Sequence, residues 1–202
     1  MCSATRSTGR GFSVSESGSG DAPLSGLRVL ELGHVVAAPY ATLMLSDLGA
    51  EVVKVEHPEH GDHMRVAGDT ARAIFASLNR DKLSVGLDLK SSEDRHAFLE
   101  LVEDVDVIVE NFGPKTLDNL DLGYERLRAE NESLIYVSIK GFEGGGAYAD
   151  RSATDPIVQA MSGLMSVTGN ENTPPARAGT GSPRGSRRRS DRAQCRRFLR
   201  SE

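Results

Sequence analysis

Apolar residues along this chain alternate between two rhythms. Short clusters rich in Val, Ile and Leu, namely LRVLEL (27–32), EVVKVE (51–56), DVIVEN (106–111) and LIYVSIKGF (134–142), predict β-strands, and KLSVGLDLK (82–90) alternates like another. The stretches between them carry helix punctuation. APYATLMLSDLGA (38–50) has Pro39 in its first turn and Gly49 at its stop. SSEDRHAFLELVEDV opens on a Ser91 or Ser92 cap, follows with acidic residues in the first turn, and places Phe98, Leu101 and Val102 on one face. GYERLRAEN (123–131) and DPIVQAMSGLMSVTG (155–169) predict two more helices, the second ending near Gly163 or Gly169. A short helix-like piece follows Asn-Phe-Gly-Pro at 111–114. DVIVEN is almost continuously apolar, as a central strand of a parallel sheet should be. Strand and helix alternation of this kind predicts an α/β fold with a doubly wound parallel sheet.

The ends break the pattern. Residues 1–22 are rich in Ser and Gly and predict a disordered leader, residues 23–169 carry the α/β domain, and residues 170–202 read as a loop followed by an arginine-rich, unstructured tail. With 202 residues and 38% hydrophobic content, one domain with a real core is expected. No apolar run approaches the roughly 20 residues that cross a bilayer, and the N-terminus lacks a secretory h-region, so no membrane partner is expected. Cys2 and Cys195 both fall in the irregular ends; they make no disulfide framework, and a cytoplasmic setting is the default. The net charge of −5 conceals an asymmetry: residues 181–202 hold eight arginines against Asp191 and Glu202, leaving 16 basic and 27 acidic residues for the body. A basic tail can serve nucleic acid, but the acidic body argues against it.

In an open parallel sheet, ligands sit outside the carboxyl ends of the strands. Those ends read ELGHVVAAP, EHPEHGD, DLKSS, ENFGPKT and IKGFEGGGAYADR. Glu56 lies 23 residues after Gly33, near the spacing of a ribose-binding acid. The turn after the first strand, however, has one glycine where a dinucleotide site needs three. His34, His60 and His63 raise a metal site, against which stand the absence of a nearby cysteine and of an i, i+4 helical pair; no metal ligand is assigned.

Four blocks in register carry a closer likeness: LSGLRVLELGHVVAAPYATLMLSDLGAEVVKVEHPEHGD, NRDKLSVGLDLKS, DVIVENFGPKTLDNLDLGYERLRAENESLIYVSIKGFE and YADRSATDPIVQAMSGLMSVTG. From Leu24 to about Gly179 they resemble the class III CoA-transferases, which include formyl-CoA and carnitine-type CoA transferases and the α-methylacyl-CoA racemases. The resemblance implies a Rossmann-like domain, an interlocked homodimer, coenzyme A as a substrate with no covalently bound cofactor, and acyl-CoA and carboxylic acid partners. It implies coenzyme A contacts at Val36 and Ala37, where a helix N-terminus offers N–H groups; at His57; at Leu87, Asp88, Leu89 and Lys90, an apolar shelf with an ammonium for the 3′-phosphate; at Asn111, Phe112 and Gly113; at Asn119, where some relatives have arginine; and at Arg151. Each has a plain structural alternative: helix packing at 36–37, a solvated loop histidine at 57, an exposed lysine at a strand end, and an ordinary turn at 111–113. Thr154 stands before Asp155 where the racemases place a proton-transferring histidine, which disfavours racemase chemistry.

The family's chemistry runs through an aspartate that attacks the thioester, forms a mixed anhydride and is returned by the released thiolate to an enzyme thioester. That residue follows a PP..xG stretch. Here PPARAG continues as TGSPRGSRRR, so Arg184 occupies the place, and the later carboxylates, Asp191 and Glu202, lack the surrounding motif. The expectation is a truncated, inactive chain whose C-terminal portion comes from a changed reading frame, with no catalytic residue to assign; a non-catalytic coenzyme A-binding module is the alternative.

Overall fold

The computed structural model describes residues 22–169 and 173–178; the leader up to Asp21, Arg184, Asp191, Glu202 and both cysteines lie outside them. Five strands, β1 (Arg28–Leu32), β2 (Glu51–Glu56), β3 (Leu83–Gly86), β4 (Val107–Glu110) and β5 (Ile135–Ser138), form one all-parallel sheet in the order β3-β2-β1-β4-β5. Val29 is in register with Val52 on one side and Val107 on the other, and Ile108 with Tyr136 beyond. The helices are α1 (Ala37–Asp47), α2 (His63–Val66), α3 (Asp69–Leu78), α4 (Ser92–Glu103), α5 (Thr116–Asn119), α6 (Tyr124–Glu130) and α7 (Asp155–Met161), with a 3-10 turn at Leu164–Ser166.

Alternation along the strands sorts side chains onto two faces, each of which must be covered. On one face Leu30, Leu32, Val55 and Ile108 meet Phe98 and Val102 of α4 and Leu127 of α6. On the other, Val29, Val52, Val107 and Val109 meet Ala38 of α1. The sheet is thus wound on both faces, as the alternation predicts. Gly33 allows α1 to close down on β1, since a Cβ there would collide with the Ala38 methyl.

The element boundaries differ from the sequence reading in instructive places. The third strand stops at Gly86 and not at residue 90, because Asp88 turns the chain: its side chain accepts the Lys90 N–H at 3.0 Å and its own N–H donates to Asp94 in α4 at 2.7 Å. The last predicted strand shortens to Ile135–Ser138, and the last predicted helix breaks at Gly163, which takes φ +79°. The predicted Ser91 cap holds in position, but its side chain makes no capping bond. Helices α2 and α3 have no counterpart in the sequence reading: α2 is a single turn, whereas α3 carries Ala71, Ile74, Phe75 and Leu78 at helical spacing, a stripe that the reading missed.

Candidate functional site

Strand order places β1 beside β4, with β2 and β3 winding away one way and β5 the other. Loops leaving the carboxyl ends of such a pair diverge, and a crevice opens between them. The amide that ends β4 spans this crevice: Asn111 Oδ1 accepts the His34 N–H at 3.0 Å, and Asn111 Nδ2 donates to the His34 carbonyl at 2.9 Å. The Phe112 ring lies 4.9 Å from the His34 ring, which also meets the His63 ring at 5.3 Å, edge on. Burial pushes the His34 imidazole below its ordinary pKa; the Asp62 carboxylate opposes this, and neighbouring His63 and Lys54 add to it. His34 is therefore held towards its neutral form.

Next to the junction, a cavity of about 160 Å³ opens between residues 111–114, 139–142 and 149–153. It joins Asn111, Phe112 and Gly113 to Arg151, four residues that the sequence reading assigned to one ligand. It also brings in Lys140, which that reading missed. Beneath the cavity Glu110 is fully buried and accepts from the Phe112 N–H at 2.8 Å, from the Ser138 and Tyr136 hydroxyls, and from Lys140 Nζ at 2.7 Å. Burial, then Glu110, raise the Tyr136 phenol well above its usual pKa, so its proton stays on that carboxylate bond. Lys140 Nζ also donates to the Phe112 carbonyl at 2.8 Å. A carboxylate so fully engaged is a brace for the turn and no nucleophile. The cavity is thus lined by the Phe112 ring, by Lys140, whose charge Glu110 matches, and by Arg151, whose guanidinium lies over Tyr148. That combination suits an anionic ligand with an apolar or planar portion.

The remaining assigned residues lie on the same rim in other places. Val36 and Ala37 are exposed at the start of α1, whose N-terminus no side chain caps. Neither lines the cavity; the Asn111–His34 pairing ties the loop before them to the turn after β4. His57 follows β2 and is half-buried; the Leu87 N–H donates to the Glu56 carbonyl at 2.9 Å, so His57 and residues 87–90 sit together at the β2–β3 end. Leu87 and Leu89 are turned partly into the core, which leaves exposed Lys90 as the accessible group of that set and removes most of the apolar shelf. Asn119 ends α5 on the surface, outside the cavity lining. Glu56, the would-be ribose acid, is committed elsewhere: Arg65 grips both its oxygens at 2.7 Å, and the Asp62 N–H and Ser84 hydroxyl donate to it.

The histidines do not gather as a His34–His60–His63 set. His63 faces His34, while His57, Glu59 and His60 bring one donor atom each within 4.8 Å. The His57 and His60 rings are stacked at 3.7 Å with 17° between their planes. Their lone pairs therefore run side by side, and sharing an ion would require one ring to turn.

Below the β1–α1 loop lies a buried ion network that no sequence spacing displayed. Glu31 and Lys54, cross-strand neighbours in β1 and β2, pair at 2.6 Å. Lys82 reaches Glu31 at 2.8 Å from before β3, and the Thr42 hydroxyl completes the carboxylate's shell at 2.5 Å. Burial lowers the Lys82 pKa against the raising pull of Glu31. Lys54 Nζ also lies 3.2 Å from the Asp62 carboxylate and donates to the Gly33 carbonyl at 2.6 Å.

Residues 24–183 match the family model described as CoA-transferase family III. The chain is 46% identical over 170 residues to a succinyl-CoA:mesaconate CoA-transferase of Haloarcula hispanica and 45% identical over 160 residues to an acetyl-CoA:oxalate CoA-transferase of Acetobacter aceti, with 78% of this chain covered in each case. A solved CAIB/BAIF family protein from Brucella suis superposes with a TM-score of 0.74 at 41% identity, covering 78% of this chain and 44% of that one. The chain spans 43% and 41% of the two transferases' lengths, or about two fifths.

Proposed function

We propose, given that this chain belongs to CoA-transferase family III, that its rim binds coenzyme A and its thioesters without transferring them. The observation that carries this reading is the joining of Asn111, Phe112, Gly113 and Arg151 around one cavity at the carboxyl ends of β4 and β5, beside the β1–β4 crevice. Phe112 supplies a face for a flat or apolar portion of the ligand, and Arg151 supplies positive charge for an anionic one, Lys140 being matched by Glu110. Gly113 has neither a positive φ nor a crowded Cβ position, so the fold itself does not demand glycine there, whereas close approach of a ligand to the backbone would. Lys90 and His57, at the β2–β3 end, are the groups within reach of a nucleotide phosphate. Asn119, exposed and apart, is a weaker contact than arginine would be.

The substrates of an intact enzyme built on this rim are an acyl-CoA and a carboxylic acid, and its assembly is a homodimer. Transfer requires the carboxylate nucleophile that follows the PPARAG stretch, and the family match stops at residue 183, immediately before Arg184. A guanidinium cannot attack a thioester, and the buried carboxylates beneath the rim, Glu31, Glu56 and Glu110, are all committed to cations. The arginine-rich residues after 183 follow from a shift of reading frame, which the nucleotide sequence beyond the Gly181 codon would disclose as an aspartate motif in the adjacent frame.

Calorimetric titration with CoA and 3′-dephospho-CoA, paired with an exchange assay between succinyl-CoA and a free carboxylate, tests the reading. Expected are saturable CoA binding, weaker binding of the dephosphorylated form, and no exchange. No heat of binding would remove the site; measurable acyl exchange would overturn the assignment as a non-transferring chain.

A further inference from the structure

The cavity beside β4 has the turn after that strand, residues 111–114, as one wall and the far limb of the β5–α7 loop, residues 149–153, as another. An ion pair ties these two walls: Lys115 Nζ lies 2.9 Å from Asp150 Oδ1. Lys115 follows Pro114, which lines the cavity, and Asp150 stands between the lining residues Ala149 and Arg151. Both side chains are mostly exposed, 64% for the lysine and 72% for the aspartate. The pair therefore lies on the solvent side of the cavity, whereas Lys140 and buried Glu110 pair beneath it.

The two pairs differ in how firmly they hold. Lys140 is matched by a carboxylate out of water and also donates to the Phe112 carbonyl at 2.8 Å, so withdrawing it strands a buried charge. Lys115 and Asp150 both keep water around them, and an exposed pair gains little over the separated ions. An arriving anion can take the Lys115 ammonium from Asp150 at small cost; it cannot take Lys140 from Glu110. The loop that carries Asp150 has little to hold its tip. Gly144 and Gly145 have open space where a side chain would begin, and the Phe142–Tyr148 and Arg151–Tyr148 contacts lie within the loop itself.

We propose that Lys115 is a further ligand-binding residue of this cavity, held on Asp150 in the free chain and handed to an anionic group of the ligand as it enters. The group it meets is a phosphate-type oxygen, which an ammonium on a long stem serves as a point contact. This rests on the coenzyme A reading above for the identity of the ligand, and not for the exchange of partners itself.

The test uses the full chain and three variants: Lys115→Met, Asp150→Asn and the two combined. Lys115 stands at φ +59°, so methionine replaces it and not glycine: the Cβ and the backbone cost stay, and the ammonium alone is removed. Neither replacement takes away a buried contact. Dissociation constants are measured by calorimetry for CoA, for pyrophosphate and for pantetheine, which carries no charge. Expected for Lys115→Met is a loss of about tenfold for CoA and pyrophosphate. Asp150→Asn should tighten both, by up to about fivefold, because Lys115 then leaves no partner behind. The double variant should bind like Lys115→Met, and pantetheine should respond to none of the changes. Unchanged affinity in Lys115→Met would overturn the proposal. So would tightening by Asp150→Asn that persists with methionine at 115, since Asp150 would then act by plain repulsion of the anion. If CoA fails to bind the unaltered chain while pyrophosphate follows the expected pattern, the coenzyme A reading falls and the exchange stands; if neither anion binds, both fall.

Discussion

Removing the Asn111 side chain separates the two loops of the crevice, and the structure sets the size of the effect. Asn111→Ala abolishes two hydrogen bonds of good length, 3.0 and 2.9 Å, between residues 77 apart in the chain. A net hydrogen bond is worth about 1 kcal/mol, and more where the abandoned partner stays out of water. His34 is half-buried, so its N–H and carbonyl recover part of their hydration. The expected loss is about 2 kcal/mol. With a urea m-value of about 2 kcal/mol per molar for a domain of this size, the unfolding midpoint falls by about 1 M. Asn111→Asp discriminates further. The carboxylate still accepts from the His34 N–H but faces the His34 carbonyl without a donor, so the variant loses about 1–2 kcal/mol at neutral pH and regains part of it in acid, when the carboxyl acquires a proton to donate. Urea titrations followed by circular dichroism at pH 7 and pH 4 supply both numbers. If Asn111→Ala unfolds within about 0.5 kcal/mol of the unaltered chain, the amide is not the tie described here, and the turn after β4 is held by Glu110 and Lys140 alone.

Lys54→Met leaves the Glu31 and Asp62 carboxylates buried with one fewer counter-charge and should destabilise by about 3–5 kcal/mol, read as a lower denaturation midpoint; a loss under about 1 kcal/mol would mean that Lys82 compensates. Phe98, wholly buried between α4 and the sheet, should cost about 3–5 kcal/mol as Phe98→Ala in the same assay. Glu56 provides a pH signature. Burial alone would raise its pKa, but the Arg65 hydrogen bond and the Asp62 N–H together outweigh that and leave it below the ordinary value of 4.5. The unfolded chain therefore takes up the proton first as pH falls, so the stabilisation from this carboxylate is complete above about pH 4.5 and is lost as pH drops through the lower folded value. The stability gap between the unaltered chain and Arg65→Met should accordingly be widest above pH 4.5 and close in stronger acid; a gap independent of pH would show that Arg65 acts by packing on Phe75, over whose ring it lies at 4.0 Å.

Much of the fold was legible in the amino-acid order because its cause is local. The runs LRVLEL, EVVKVE and DVIVEN are apolar on both alternating sets of positions, and only a strand covered on both faces needs that. Gly49 and Gly163 stop helices because each stands at positive φ, a conformation that glycine reaches at little cost. The likeness of the rim loops to one family likewise depends on short contiguous blocks. Helix α3 was legible too, since Ala71, Ile74, Phe75 and Leu78 recur at helical spacing, although the fold buries none of its residues completely. KLSVGLDLK was over-extended because Leu87 and Leu89 keep up the strand alternation while Asp88 turns the chain between them.

Tertiary structure alone decided which rim residues act together. Glu31, Lys54, Asp62 and Lys82 are spread over more than fifty positions of sequence, and nothing in their spacing says that they share one buried site; the parallel register of β1 with β2 puts Glu31 opposite Lys54 and draws the rest in. The same is true of Asn111. In the sequence it is an amide ending a strand, free to be a ligand contact or a simple turn, and it became the clasp on His34 because the strand order sets β4 beside β1. Periodicity records how each segment meets water or core, one segment at a time. Pairing between distant segments is recorded only in the sheet's order and register, and that is where the charges and amides of this rim find their partners.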